Sequence, residues 1–205
     1  MKNNTKQYIS PREADVISRL AYEKVSIITL KQFDDYFNFP QKVREKILYR
    51  LNKRKILKKI KKGVYFYSPL EAGPAGSNIS EFLIPPIFFP KGNYYIGYST
   101  MYNYYGLTEQ LFQVMYILNT SLQKEKTISN IQFKMVKISP KRMFGLQKIK
   151  IKDAKVIVSD RERTLVDLIY FPEPVGGLNK AFEILQEQVK SGKIEEYFYS
   201  DEEKE

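Results

Sequence analysis

Residues 40–67 read PQKVREKILYRLNKRKILKKIKKGVYFY. Two periodicities meet inside this stretch. In its first half Val43, Ile47, Leu48 and Leu51 recur at helical spacing, and Lys42, Glu45, Lys46, Tyr49 and Lys53 fall on the opposite side. Beyond Lys55 the pattern shortens. Ile56-Leu57-Lys58-Lys59-Ile60 and Val64-Tyr65-Phe66-Tyr67 read as two strands. Between them stands Lys61-Lys62-Gly63, where Gly63 can take the positive φ of a tight turn. The stretch therefore predicts a helix over Pro40 to Arg54, then a hairpin with a basic tip.

The same stretch holds the charge. Lys42 to Lys62 contains eleven basic side chains and one acid, Glu45, against a formal net charge of +11 for all 205 residues. Residues 1–70 carry 17 Lys and Arg against 6 acids, whereas residues 71–205 carry 17 of each. A cationic field this concentrated, on a segment with apolar periodicity, is the footprint of a phosphate-binding surface rather than of a disordered basic arm.

Upstream, Ser10-Pro11-Arg12-Glu13 is a helix start: Ser10 caps, Pro11 suits the first helical position and Glu13 completes a capping box. Ala14, Ile17, Leu20 and Ala21 give that helix an apolar stripe. Val25 to Ile28 is short and β-branched. Thr29 caps a second helix through Leu30, Phe33, Tyr36 and Phe37, and Asn38-Phe39-Pro40 breaks it. Three helices followed by a hairpin is the order of a winged helix-turn-helix. The expected fold class is α+β, with a winged helix-turn-helix over residues 1–70, a linker over 71–80 containing Gly73, Pro74 and Gly76, and a mixed α+β domain over 81–205 that ends in an acidic tail from Glu195.

In the second half a helix is expected from Ser99 to Tyr105, ended by Gly106. Strands are expected at Gln113–Asn119, Gln132–Ile138, Gln147–Ile151 and Lys155–Val158. Asp160 is placed to cap a helix whose buried side holds Thr164, Leu165 and Leu168, leaving Arg161 and Arg163 to point to solvent or to neighbouring acids. Gly176-Gly177 precedes a last helix with Leu178, Ala181, Phe182, Leu185 and Val189 on one side. The tyrosines crowded between Tyr94 and Tyr105 read as core packing with hydroxyls reaching the surface, because only Lys91 is near enough to interleave with them as a stacking platform requires.

Composition bounds the chemistry. The chain has no cysteine and no histidine, which removes thiolate and imidazole metal sites and Ser-His-Asp or Cys-His catalysis. At 43% hydrophobic and 28% charged residues it is ordinary for a globular protein. Met1 to Tyr8 lacks the apolar core of a secretory signal, and the longest apolar run, Phe82 to Pro90, is short and interrupted by Pro85 and Pro86. A cytoplasmic protein without membrane partner, metal or cofactor is expected. Gly76-Ser77 resembles the start of a nucleotidyltransferase signature, but Phe82 to Asn93 offers no acid for the metal. Asp153-Ala154-Lys155 is an acid-x-Lys triplet of the kind found in nuclease metal sites, without a second acid on the preceding strand. Glu162, Asp167 and Glu173 read as cap, surface and turn residues. No catalytic residue is therefore assigned, and no enzyme is expected.

For a helix entering the major groove, the base-side candidates are Gln41, Lys42, Arg44, Glu45, Lys46 and Tyr49. The phosphate-side candidates are Arg50, Lys53, Arg54, Lys58, Lys59, Lys61 and Lys62. Five to eight phosphate contacts would give log K a salt slope of roughly −5 to −7.

Three stretches carry a family resemblance: Leu51 to Tyr67 (LNKRKILKKIKKGVYFY), Tyr95 to Gln110 (YIGYSTMYNYYGLTEQ) and Val158 to Leu168 (VSDRERTLVDL), followed by Pro172-Glu173 and Gly176-Gly177. In these the chain resembles the AbiEi-type antitoxins of abortive-infection (type IV) toxin–antitoxin systems, over most of residues 10–190, with Met101 where the family often has alanine. The resemblance implies an autorepressor that binds an inverted-repeat operator in double-stranded DNA. It also implies an antitoxin functionally paired with a nucleotidyltransferase-like toxin without a stable complex, with Arg161 and Arg163 as candidates for the neutralising surface. The alternatives are a plain transcriptional regulator whose second domain binds a ligand or partner, and, further off, a nuclease-like enzyme.

Overall fold

Ser10 satisfies an N–H that a helix start leaves without a partner. Its hydroxyl accepts from the Glu13 N–H at 3.4 Å, and the Glu13 carboxylate accepts from the Ser10 N–H at 2.7 Å. The helix that follows, α1, spans Pro11–Tyr22 and buries Val16, Ile17 and Leu20. Ala14 and Ala21, expected in the stripe, are exposed. The computed structural model describes residues 8–72, 79–151 and 154–191. Contacts divide the chain into two units, residues 1–79 and 80–205. Gly76, Ser77 and Asp153, most of the linker and the acidic tail lie outside the described residues.

In the first unit, β1 (Ile27–Thr29) leads into α2 (Leu30–Phe37), capped by Thr29 in a second capping box, with Gln32 as its third residue. Asn38 ends α2 in the left-handed conformation that Asn tolerates. After Pro40, α3 runs Gln41–Lys53 and buries Ile47, Leu48 and Leu51. Its end is a Schellman turn: Lys55 N–H donates to Asn52 O and Ile56 N–H to Leu51 O, with Lys55 at φ 62 where glycine is usual. Next come β2 (Leu57–Lys61) and β3 (Val64–Tyr67). They pair antiparallel around Lys62-Gly63, with Gly63 at φ +75 and a bulge between Lys59 and Lys61. β1 adds on the far side of β3, giving the order β1-β3-β2. Phe33, Leu51, Leu57 and Ile28, all nearly inaccessible, belong to the core that the helices and sheet enclose.

The second unit is built on a six-stranded mixed sheet in the order β6-β7-β5-β4-β9-β8. The strands are β4 (Tyr94–Gly97), β5 (Val114–Asn119), β6 (Lys124–Ile128), β7 (Ile131–Lys137), β8 (Leu146–Ile151) and β9 (Ala154–Ser159). β4 and β9 are parallel, as are β5 and β7; the other neighbours are antiparallel. Its helices are α4 (Ile84–Phe88), α5 (Ser99–Tyr104), α6 (Arg161–Tyr170) and α7 (Leu178–Lys190). Tyr95, Leu118, Tyr102, Leu165, Leu168, Ala181 and Ile184 form one core among the sheet, α5, α6 and α7.

Three elements of this unit lack a sequence signal. All four residues of β4 are buried, so it shows no alternation of apolar and polar positions. β6 is an edge strand of sequence KEKTI, whose charges discourage pairing with another chain. α4 is a five-residue helix started by two prolines. The last helix also departs from expectation. α7 buries Ala181 and Ile184, while Leu178, Phe182 and Val189 are about half or more exposed. Among the described residues no helix is long and apolar enough to cross a membrane.

Candidate nucleic-acid interface

On α3 the exposed side chains are Gln41, Lys42, Glu45, Lys46, Tyr49, Arg50, Asn52 and Lys53. Helical spacing sorts those of its first three turns into two stripes. Lys42, Lys46 and Arg50 follow one another at four-residue intervals, and Gln41, Glu45 and Tyr49 form the adjacent stripe. The Gln41 side-chain amide donates to the Glu45 carboxylate at 2.9 Å, and Tyr49 is 68% exposed.

The cationic stripe does not stand alone. Lys42, Lys46 and Arg50 line a groove of about 480 Å³ together with Pro11, Val43 and Arg12 at the start of α1. Arg12 is absent from the sequence-derived candidates. It lies on α1, far from α3 in sequence, and only packing of α1 against α3 brings it to these lysines.

Two arginines among the expected DNA contacts are held in ion pairs within the first unit. Arg44 is mostly buried and is paired with Asp34 of α2 at 2.5 Å, so its guanidinium is turned toward α2 and away from the exposed stripe. Arg54 donates to Glu13 at 3.0 Å and to the Tyr8 carbonyl at 2.7 Å. Glu13 is 0% exposed, and burial alone would push its carboxyl up. The Ser10 hydrogen bonds and the Arg54 guanidinium outweigh that and hold it below its ordinary value. Arg54 thus compensates a buried charge that also caps α1.

On the hairpin, Lys59 and Lys62 are exposed and Lys58 and Lys61 half-buried. The Lys59 N–H donates to the Asn52 side chain at 3.1 Å, which fixes the start of the hairpin against the end of α3. The cations of the hairpin and of α3 therefore sit on elements tied by a hydrogen bond as well as by their shared core.

In the second unit the paired arginines separate. Asp160 caps α6 as expected, its Oδ1 accepting from the Arg163 N–H at 2.7 Å. The Arg161 guanidinium donates to Gln188 of α7 and lies over the Tyr105 ring. Arg163 is 2% exposed and faces inward, which corrects its expected place on a surface. It donates to the Tyr95 hydroxyl at 3.0 Å, lies 4.5 Å from the Phe144 ring centroid and stands 2.9 Å from Asp167 Oδ1, an ion-pair distance without hydrogen-bond alignment. Asp167, expected at the surface, is 0% exposed. Burial pushes its carboxyl up against the pull of Arg163. The Tyr95 and Tyr102 hydroxyls are internal too. Tyr95 donates to Asp167 at 3.2 Å, and Tyr102 donates to the carbonyls of Asp167 at 3.0 Å and Phe171 at 3.2 Å. Gly145 is needed beside this network, since a Cβ there would come within 2.7 Å of the Arg163 Cβ. Among the described residues no group of three or more His, Cys, Asp or Glu could hold a metal ion.

No family model matches the chain, and no curated protein matches it. Among solved structures it is similar to the crystal structure of the RV2827C protein from Mycobacterium tuberculosis, with a TM-score of 0.58 at 10% identity over 81% of this chain. The match spans 62% of that protein's chain. At this identity the likeness concerns the fold, and it agrees with a mixed α+β architecture.

Proposed function

We propose that the protein is a DNA-binding transcriptional autorepressor and antitoxin, whose first unit is a winged helix-turn-helix with α3 as recognition helix and the β2–β3 hairpin as wing. One observation carries the DNA-binding reading: the exposed cations of α3 and the hairpin, which remain after Arg44 and Arg54 are assigned to internal ion pairs. Arg12, Lys42, Lys46, Arg50, Lys53, Lys59 and Lys62 suit phosphates. Gln41, Glu45 and Tyr49 suit base edges, where an amide recognises adenine and a carboxylate accepts from cytosine N4. A buried core beneath both elements favours a preformed surface over one that orders on binding.

The antitoxin part of the reading is supported by the resemblance of Val158 to Leu168 and its flanking segments. Arg161 is its remaining candidate on a partly exposed position. On this reading the protein performs no catalytic step and needs no cofactor, and it acts on a toxin encoded beside it without forming a stable complex with it.

The direct test is a titration of the whole chain against its own upstream inverted repeat by fluorescence anisotropy. Six or seven phosphate contacts predict a salt slope of about −5 to −6, or a loss of about a thousandfold in affinity between roughly 50 and 200 mM salt. A loss of less than about tenfold would sink the proposal, because so shallow a slope corresponds to fewer than two phosphates.

A further inference from the structure

The second unit contains a cavity of about 660 Å³ beside β8 and β9, with Pro86, Phe89, Pro90, Tyr94 and Ile157 among its lining. Three lysines also line it: Lys148 and Lys150 from β8 and Lys155 from β9. All three are exposed, and none has an ion-pair partner among the described residues. Among the described residues no acidic side chain lines the cavity.

The register makes this arrangement costly. Lys150 stands directly opposite Lys155, and Lys148 stands opposite Ile157. Cross-strand partners share a face of the sheet, as do residues two apart on one strand, so the three lysines lie on one face. Like charges directly opposite are destabilising. Protection of a sheet edge is the ordinary reason for strand lysines, and β8 is an edge strand. That reason covers Lys148 and Lys150. It does not cover Lys155, because β9 lies inside the sheet between β4 and β8. A side chain that repels its cross-strand neighbour, from an interior strand, beside an apolar cavity, calls for an anion.

We infer that this cavity binds a small amphipathic anion, with an apolar body against Phe89, Pro86 and Ile157 and a carboxylate or similar head held by Lys150 and Lys155. The volume lies in the range of small-molecule sites, and an apolar lining with a few convergent polar groups is the usual composition of one. The site is independent of the DNA-binding reading, since it lies wholly within the second unit.

The test uses the whole chain and 8-anilinonaphthalene-1-sulfonate, itself an apolar anion, as fluorescent probe. The expected result is saturable binding that decanoate displaces and decanol, its uncharged counterpart, does not. The Lys150→Gln/Lys155→Gln protein should bind the probe about tenfold or more weakly, as befits the loss of charge-assisted contacts, while Lys141→Gln leaves it unchanged. Its melting temperature without ligand should match or exceed that of the parent, because the substitution removes a like-charge pair. Decanoate should raise the melting temperature of the parent and not of the double variant. Absence of saturable binding, equal displacement by decanol, or unaltered affinity in the double variant would overturn the inference. Displacement by a short DNA duplex but not by decanoate would also overturn it and would assign the lysines to nucleic acid. The first three outcomes leave the operator titration unaffected, so the two readings fail separately.

Discussion

Arg54 and Arg163 are both cations whose placement matters more than their charge. Arg54 compensates Glu13, which is fully buried and also caps α1. Replacing Arg54 by Met keeps much of the stem but leaves that carboxylate short of a partner, and should cost about 2 to 4 kcal/mol at neutral pH by urea denaturation. The pH dependence follows from the direction of the Glu13 shift. Its folded value lies below the ordinary 4.5, so its contribution is complete above that value and is lost as pH falls through the folded one. In Arg54→Met the carboxyl loses one of its acidifying partners, so this acid-side loss should shrink. Equal acid sensitivity in both proteins would show that Arg54 does not set the Glu13 ionisation. Arg163 is deeper, and breaking its pair with Asp167 should cost about 3 to 5 kcal/mol. Arg161→Ala, by contrast, removes a bond to Gln188 from a partly exposed position and should leave the melting temperature within a few degrees. It is therefore the informative substitution for co-expression with the product of the adjacent gene. Growth arrest with intact DNA binding is expected if Arg161 belongs to the neutralising surface, and survival equal to the parent would remove it from that surface.

At the scale of elements, α3 and the hairpin divide the work by their geometry. Lys62 at the tip and Lys59 on β2 belong to a bulged hairpin that turns at Gly63, φ +75, a shape that presents charge and carries no hydrogen-bonding code. Lys59→Ala/Lys62→Ala should weaken operator and unrelated duplex alike and reduce the magnitude of the salt slope by about 2. Gln41 sits in the first turn of α3, bonded to Glu45 on the stripe beside the cations. Gln41→Ala should narrow the gap between operator and unrelated duplex by about 1–3 kcal/mol with little change in slope. A change of sequence preference from the hairpin variant alone would mean that the hairpin, and not α3, reads the bases.

For the molecule as a whole, each unit has a core of its own. The first gathers Val16, Leu20, Phe33, Leu51 and Leu57, and the second gathers Tyr95, Leu118, Leu165 and Leu168. A fragment of residues 1–79 should therefore fold alone and bind duplex DNA with the salt slope of the full chain to within about one unit. Circular dichroism with a cooperative melt checks the folding, and anisotropy checks the binding. A folded fragment that does not bind would assign the surface to both units together. The charge asymmetry points the same way, since residues 71–205 carry equal numbers of basic and acidic side chains.

Local signals were legible wherever a side chain acts on its own backbone or on the next turn. Ser10 and Glu13, Thr29, Gly63 and Asp160 each announce an element end by bonding or freeing a nearby backbone group, and the helices and hairpin they bound stand where the pattern puts them. Alternation exposed β5, β7, β8 and β9 for the same reason. It could not expose β4, because a strand buried on both faces has no polar side, nor β6, an edge strand whose charged sequence has too little apolar content to alternate. The partners of charged residues were beyond it as well. A guanidinium in a sequence is the same whether it meets water, as Arg50 does, or a buried carboxylate forty-one residues away, as Arg54 does. Composition determined that this chain is strongly basic in its first part and offers no imidazole or thiolate chemistry. Tertiary packing decided which cations remain at the surface and joined Arg12 to the α3 stripe. It also turned Arg163 and Asp167 inward, because burial and pairing depend on which elements meet, and that is a property of the folded chain.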